Sequence, residues 1–202
     1  MLRKTSFALA LVATPAFAST WTVDPVHSNI GFTVRHLVTK VNGSFNEFEG
    51  NVQFDDKKPE ASKVNVTVKT ESIFTANQQR DEHLRSADFF DTKKFPTATF
   101  ESGKVAALGK GQFKIDGTLS LHGVTKPVTL EVEYLGTAKD MYGNTRGGFT
   151  AKTKISRKEF GLTWNKLTEA GNVVVGDDVE MNLNIAAIEV KPQEAKKETK
   201  PK

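Results

Sequence analysis

The stretch Val128-Thr129-Leu130-Glu131-Val132-Glu133-Tyr134 settles the fold class. Its apolar residues take the even positions and its polar residues the odd ones, the period-2 signature of a β-strand with one buried face. The alternation recurs outward in both directions. Upstream it runs through Phe113, Ile115, Gly117, Leu119 and Leu121, through Val64, Val66 and Val68, and through Phe48, Gly50, Val52 and Phe54. It begins at Ile30, Phe32, Val34 and His36, set against Gly31, Thr33 and Arg35. Downstream it ends in Val179, Met181, Leu183, Ile185 and Ala187. Weaker strands at Thr97 to Ser102 and Gly148 to Ile155 bring the total to about eight. Asn42-Gly43 and Tyr142-Gly143-Asn144 read as turns. There is no βαβ rhythm and no repeat of fixed length. Eight mainly antiparallel strands with short connections pack as a sandwich or close on themselves, because open edges invite aggregation. Closure gives a small all-β barrel whose lumen holds either packed side chains or one slender ligand.

One segment breaks the rhythm. Between Ser72 and Phe95, Thr75 and Gln78 have capping-box spacing, and good helix formers follow, so a short helix over about 76–87 is predicted near one end of the barrel. The segment crowds Arg80, Asp81, Glu82, His83 and Arg85 together and then delivers Phe89-Phe90-Asp91 and Phe95-Pro96. Helical spacing predicts an Asp81–Arg85 pair. Ser156 to Gly161 reads as a second, shorter helical turn with the same capping-box spacing and a terminal glycine.

The two ends read differently from the body. Residues 1–18 carry Arg3 and Lys4, an apolar run from Phe7 to Ala13, and Ala16-Phe17-Ala18, the pattern of a cleavable signal peptide. Export, with Ser19 first in the mature chain, is therefore expected. Residues 191–202 form a Lys, Glu and Pro string that reads as a disordered charged tail. The domain is thus expected over 19–190. The formal charge of the whole chain is +4, and +2 without Arg3 and Lys4, an ordinary surface rather than a nucleic-acid footprint. No apolar run approaches the ~20 residues of a membrane span, so stable membrane insertion is not expected. With no cysteine in the chain, thiol chemistry, thiolate metal sites and disulfide support are excluded, and the core must carry the fold.

Several motifs in order resemble the YceI-like family of lipocalin-like periplasmic proteins. They are Trp21-Thr22-Val23-Asp24-Pro25-Val26-His27-Ser28, Phe32-Thr33-Val34-Arg35-His36 and Gly43-Ser44-Phe45. They continue through Arg80-Asp81-Glu82-His83-Leu84-Arg85-Ser86, Phe89-Phe90-Asp91, Phe95-Pro96 and Leu121-His122-Gly123-Val124-Thr125-Lys126-Pro127-Val128. Arg157, Phe160-Gly161 and Trp164-Asn165 complete the set. The likeness runs from Trp21 to about Val190. It implies an extended eight-stranded antiparallel lipocalin-like barrel whose lumen holds a polyisoprenoid, an isoprenoid quinone or a fatty amide, in the periplasm and without a cofactor.

Candidate ligand contacts follow. Phe32, Val34 and His36 share one strand face, and His36 is either a satisfied core group or a polar contact. Phe45, Phe74, Phe89, Phe100, Phe149 and Trp164 belong to an interior rich in aromatic groups, with 14 phenylalanines against two tyrosines. Arg80, His83 and Arg85 either meet a phosphate-bearing head group at the barrel mouth or anchor the helix to the barrel. Two other readings stand beside a lipid carrier: a stress-protective or interaction scaffold with a packed lumen, and a hydrolase or metalloenzyme. The enzyme reading lacks a nucleophile elbow, a zinc helix motif and a phosphate loop. The four histidines match no ligand spacing. A two-fold dimer is the default oligomer.

Overall fold

The computed structural model describes residues 19–55, 57–167 and 173–190, so the expected signal peptide and charged tail lie outside the described residues. Eleven strands form one antiparallel sheet that closes on itself. They are β1 (Ser19–Val23), β2 (Asn29–His36), β3 (Thr39–Phe45), β4 (Phe48–Phe54), β5 (Lys63–Lys69), β6 (Ile73–Phe74), β7 (Thr97–Gly109), β8 (Gln112–Leu121), β9 (Val124–Lys139), β10 (Thr145–Ser156) and β11 (Val175–Glu189). The first six make three composite strands. β1 and β2 both pair with β11, β4 pairs with β1 while β3 pairs with β2, and β5 pairs with β4 while β6 pairs with β3. Counted this way the barrel has eight strands, each paired with the next in sequence. The ring shuts where Trp21 faces Glu189, Val23 faces Ala187 and Phe32 faces Met181.

Two expected turns fare differently. Tyr142-Gly143-Asn144 does turn the chain between β9 and β10, held by Asp140 accepting from the N–H groups of Tyr142 and Asn144, both at 2.9 Å. Asn42-Gly43 instead lies inside β3, and the hairpin tip is Leu37-Val38, with Leu37 at φ 52°. The reason is local packing: Gly43 faces Phe32 across the ladder, and a Cβ there would overlap the Phe32 ring. His122 and Gly123, at φ 51° and 76°, form the two-residue turn between β8 and β9. Both signs are positive, as a tight hairpin with native twist requires.

The helix α1 spans Gln78–Arg85, shorter at both ends than predicted, and Asn77 rather than Thr75 caps it by accepting from Arg80 N–H at 2.9 Å. The turn at Arg157–Phe160 is a single 3₁₀ turn that ends on Gly161 at φ 77°, as read from sequence, but Ser156 makes no side-chain cap. Inward-facing residues build two packed clusters. One includes Trp21, Val23, Ile30, Phe45, Phe54 and Phe113, and the other Ala98, Leu121, Phe160 and Leu162 beneath the helix end.

The loop between β1 and β2 is pinned by charge. Asp24, 8% exposed, accepts from Val26 N–H at 3.0 Å, lies 2.7 Å from His27 Nδ1 and pairs with Arg146. Arg146 also pairs with Asp140 at 2.8 Å, so one guanidinium ties this loop to the β9–β10 hairpin. Burial raises the Asp24 carboxyl, but hydrogen bonds from Arg146, His27 and Val26 outweigh it and hold its pKa at about 2. The Arg146 hydrogen bond likewise holds Asp140 well below the usual carboxylate range. A carboxylate depressed in the folded state contributes stability above its unfolded pKa and loses it as pH falls through the folded one. Thermal stability is therefore expected to hold down to about pH 4 and to fall between about pH 4 and 2. Melting curves of the wild type and Asp24→Asn across that window check it: the variant's acid limb should be shallower.

Candidate ligand lumen

The inward rows of the strands enclose a cavity of about 270 Å³. That is near the lower end for small-ligand sites, but the space is long rather than round. Its wall runs from Phe54, Val105 and Phe113 at the far end to Ile155, Arg157 and Val175 at the helix end. On β11 alone it extends from Val175 to Ile185, roughly 25 Å along the barrel for a tilted strand. Among the described residues the only polar side chains in the wall are Ser62, Thr153 and Arg157.

Aromatic groups gather at both ends. At the far end the Phe54 ring lies 5.9 Å from Phe113, 4.9 Å from Tyr134 and 5.4 Å from Phe149. At the helix end Phe89 and Trp164 are 4.9 Å apart, and His83 meets each edge-on at 5.0 Å. Leu84, Phe89 and Phe90 carry the helix segment's apolar side into the cavity wall. Phe45 links the wall to this cap, 5.8 Å from Phe32 and 5.7 Å from Phe90.

Of the residues predicted as ligand contacts, Phe32, Val34, Phe45, Phe89, Phe100 and Phe149 line the cavity. His36 does not: it closes β2 opposite Thr39 and Val175, one inward step beyond Val34. Phe74 is 49% exposed, because Ile73 takes the inward position on the two-residue β6 and is fully buried. Trp164 and His83 sit outside the wall, against Phe89, and His83 Nε2 is 2.9 Å from Asp88.

The two arginines of α1 bond back to the protein. Arg80 donates to Thr75 Oγ1 and O at 2.7 Å each, and Arg85 donates to the carbonyls of Glu71 and Ile73 at 2.7 and 2.8 Å. The predicted Asp81–Arg85 pair is not among the ion pairs of the described residues. Asp81, 4% exposed, instead accepts from Thr75 N–H at 2.9 Å and Thr75 Oγ1 at 2.5 Å. Both arginines thus fasten α1 to the segment that leads into it, each through Nε and one Nη atom. No group of three or more His, Asp or Glu side chains is placed to hold a metal among the described residues. No described helix is long and apolar enough to cross a membrane.

Arg157 was not predicted as part of the wall, and it is the most heavily bonded side chain at the helix end. Only 4% exposed, it donates from Nε to Gly176 O at 2.9 Å and from Nη1 to Leu162 O and Trp164 O at 2.5 and 2.8 Å. Nη2 reaches Val175 O and Asp177 Oδ1, both at 3.4 Å. Burial lowers the guanidinium pKa, and Asp177 partly offsets that. A sequence signal existed: Arg157 continues the inward parity of Ala151, Thr153 and Ile155, just as Ser62 continues that of Val64, Val66 and Val68.

A closed eight-stranded antiparallel barrel around a long apolar lumen defines the lipocalin-like class of folds. Within it, the chain belongs to the YceI-like domain family, whose model matches residues 21–187. A UPF0312 protein of Azotobacter vinelandii is 44% identical over 170 residues, covering 80% of this chain and 88% of that one. Among solved structures, the YceI protein of Campylobacter jejuni is 30% identical with a TM-score of 0.67, over 93% of this chain and all of the other. A polyisoprenoid binding domain from Saccharophagus degradans, implicated in plant cell wall breakdown, shares the fold with a TM-score of 0.61 over 86% of this chain and 99% of its own, at 18% identity.

Proposed function

We propose that this protein is a binding protein rather than an enzyme, and that its lumen carries or stores a long-chain lipid, an isoprenoid first among the candidates. One observation carries the reading: among the described residues the cavity wall is apolar from Phe54 at one end to Val175 at the other, broken only by Ser62, Thr153 and Arg157. Each buried methylene contributes ~0.8 kcal/mol, so a chain of ~20 carbons gains on the order of 16 kcal/mol before ordering and docking costs are subtracted. A slender apolar tube suits such a chain and offers little to a polar substrate. The polyisoprenoid binding domain of Saccharophagus degradans, built on the same fold, supports the choice of ligand class. The pattern of residues 1–18 supports action in the periplasm.

The test is native mass spectrometry of protein purified without detergent, followed by organic extraction. A long-chain isoprenoid, quinone or amide released in stoichiometric amount supports the reading. Protein that is ligand-free and takes up no apolar probe overturns it in favour of a scaffold with a packed interior.

A further inference from the structure

The three polar side chains of the wall are not equivalent. Arg157 is saturated: its Nε and both Nη atoms donate to four backbone carbonyls and to Asp177. A guanidinium has five N–H donors, and here each has a partner. Among the described residues, the wall at the helix end of the lumen therefore offers no free cationic donor to a phosphate or carboxylate. An anion there would be desolvated without compensation.

Ser62 is the opposite case. It is 6% exposed, lines the cavity, and its hydroxyl has no hydrogen-bond partner among the described residues. Its main chain is accounted for, since Ser62 N–H donates to Pro59 O at 3.1 Å. The side chain points inward because it shares the parity of Val64, Val66 and Val68, next to the register of Phe54 at the far end. Buried hydroxyls are nearly always partnered, and leaving one unpartnered destabilises the protein relative to alanine at the same place. The only other unpartnered buried side-chain atom among the described residues is Trp21 Nε1, and Trp21 does not line the cavity.

We propose that Ser62 is the seat for the polar group of the lumen ligand, and that this ligand is an uncharged long-chain lipid bearing a hydroxyl, carbonyl or amide. The ligand lies with that group toward Phe54 and its chain running toward Arg157. This rests on the lumen-lipid reading above and narrows it: a lipid alcohol, quinone or amide fits, and a lipid diphosphate does not.

The experiment compares geranylgeraniol, the hydrocarbon of the same chain, and geranylgeranyl diphosphate on the delipidated full-length protein, by native mass spectrometry and by competition with an apolar fluorescent probe. The wild type should bind the alcohol about 3- to 10-fold more tightly than the hydrocarbon, the worth of one neutral hydrogen bond. It should bind the diphosphate at least roughly tenfold more weakly than the alcohol. Ser62→Ala should remove the preference for the alcohol, leave hydrocarbon affinity unchanged, and melt at or above the wild-type temperature without ligand. Thr153→Val, at the other end, should keep the preference. The seat at Ser62 is overturned if the hydrocarbon binds as well as the alcohol, if the diphosphate binds best, if Thr153→Val rather than Ser62→Ala erases the preference, or if ligand-free Ser62→Ala is clearly less stable. If no probe binds, the lumen-lipid reading falls and takes this inference with it.

Discussion

Phe32→Arg should reduce lipid affinity by at least about 100-fold, while Phe32→Leu stays within about threefold of the wild type. Phe32 lines the cavity midway along β2, between Met181 of β11 and Gly43 of β3. An arginine there projects a cation into a stretch of wall with no counter-ion, since the inward neighbours Ile30, Val34, Val41 and Met181 are apolar. Burying a charge without a partner costs several kcal/mol, and displacing the water that solvates it would fall to the incoming lipid. Titration of delipidated protein with geranylgeraniol measures the loss, and circular dichroism shows whether the barrel persists. Leu183→Glu places a charge of opposite sign on the facing strand and should act in the same direction. If either charged variant binds lipid as the wild type does, the ligand is not in the lumen.

Arg157→Met should lower the melting temperature by about 10 °C, corresponding to about 3–5 kcal/mol. The methionine can fill the volume but takes the guanidinium donor from the carbonyls of Leu162, Trp164 and Gly176, while Val175 O keeps its hydrogen bond from Asn165 Nδ2 at 2.7 Å. The carbonyls come from two chain segments, so the loss also weakens the hold of the loop after Gly161 on the start of β11, leaving Asn165, bonded to Val174 N–H, Val175 N–H and Val175 O, as a remaining tie. Arg157→Lys should recover little, because an ammonium is a point charge that cannot reach four carbonyls spread around a planar fork. Scanning calorimetry of the three proteins decides it. A shift under 2 °C for Arg157→Met would mean that these bonds contribute little.

The strands that sequence made visible were those in which apolar residues alternate over four or more positions, as in β8, β9 and β11. β3 stayed hidden because its inward row is Val41, Gly43 and Phe45, and a glycine chosen to receive the Phe32 ring looks like a turn residue. β1 has only Trp21 and Val23 to show, beside a segment read as a leader. In the helix segment, side chains adjacent in sequence suggested pairing with one another, whereas Arg80, Asp81 and Arg85 bond to residues 71–75, a relation that helical spacing does not encode. The apolar part of the lumen was legible for the same reason the strands were. Ser62 and Arg157 were not, because each sits just past the end of a strand's apolar run, where parity still holds but hydrophobicity no longer marks it.

The ring closes between the first strand and the last, with Trp21 and Val23 laid against Glu189 and Ala187. Contacts this distant in sequence form late and slowly. A chain whose residues 187–189 have not yet reached the first strand therefore holds an apolar inner face and two open edges with nothing to shut them. Every partly closed sheet is a liability and none encloses a lumen. An enclosed lumen arrives in one step, when the last strand meets the first, so chaperone dependence should be concentrated in the interval before closure.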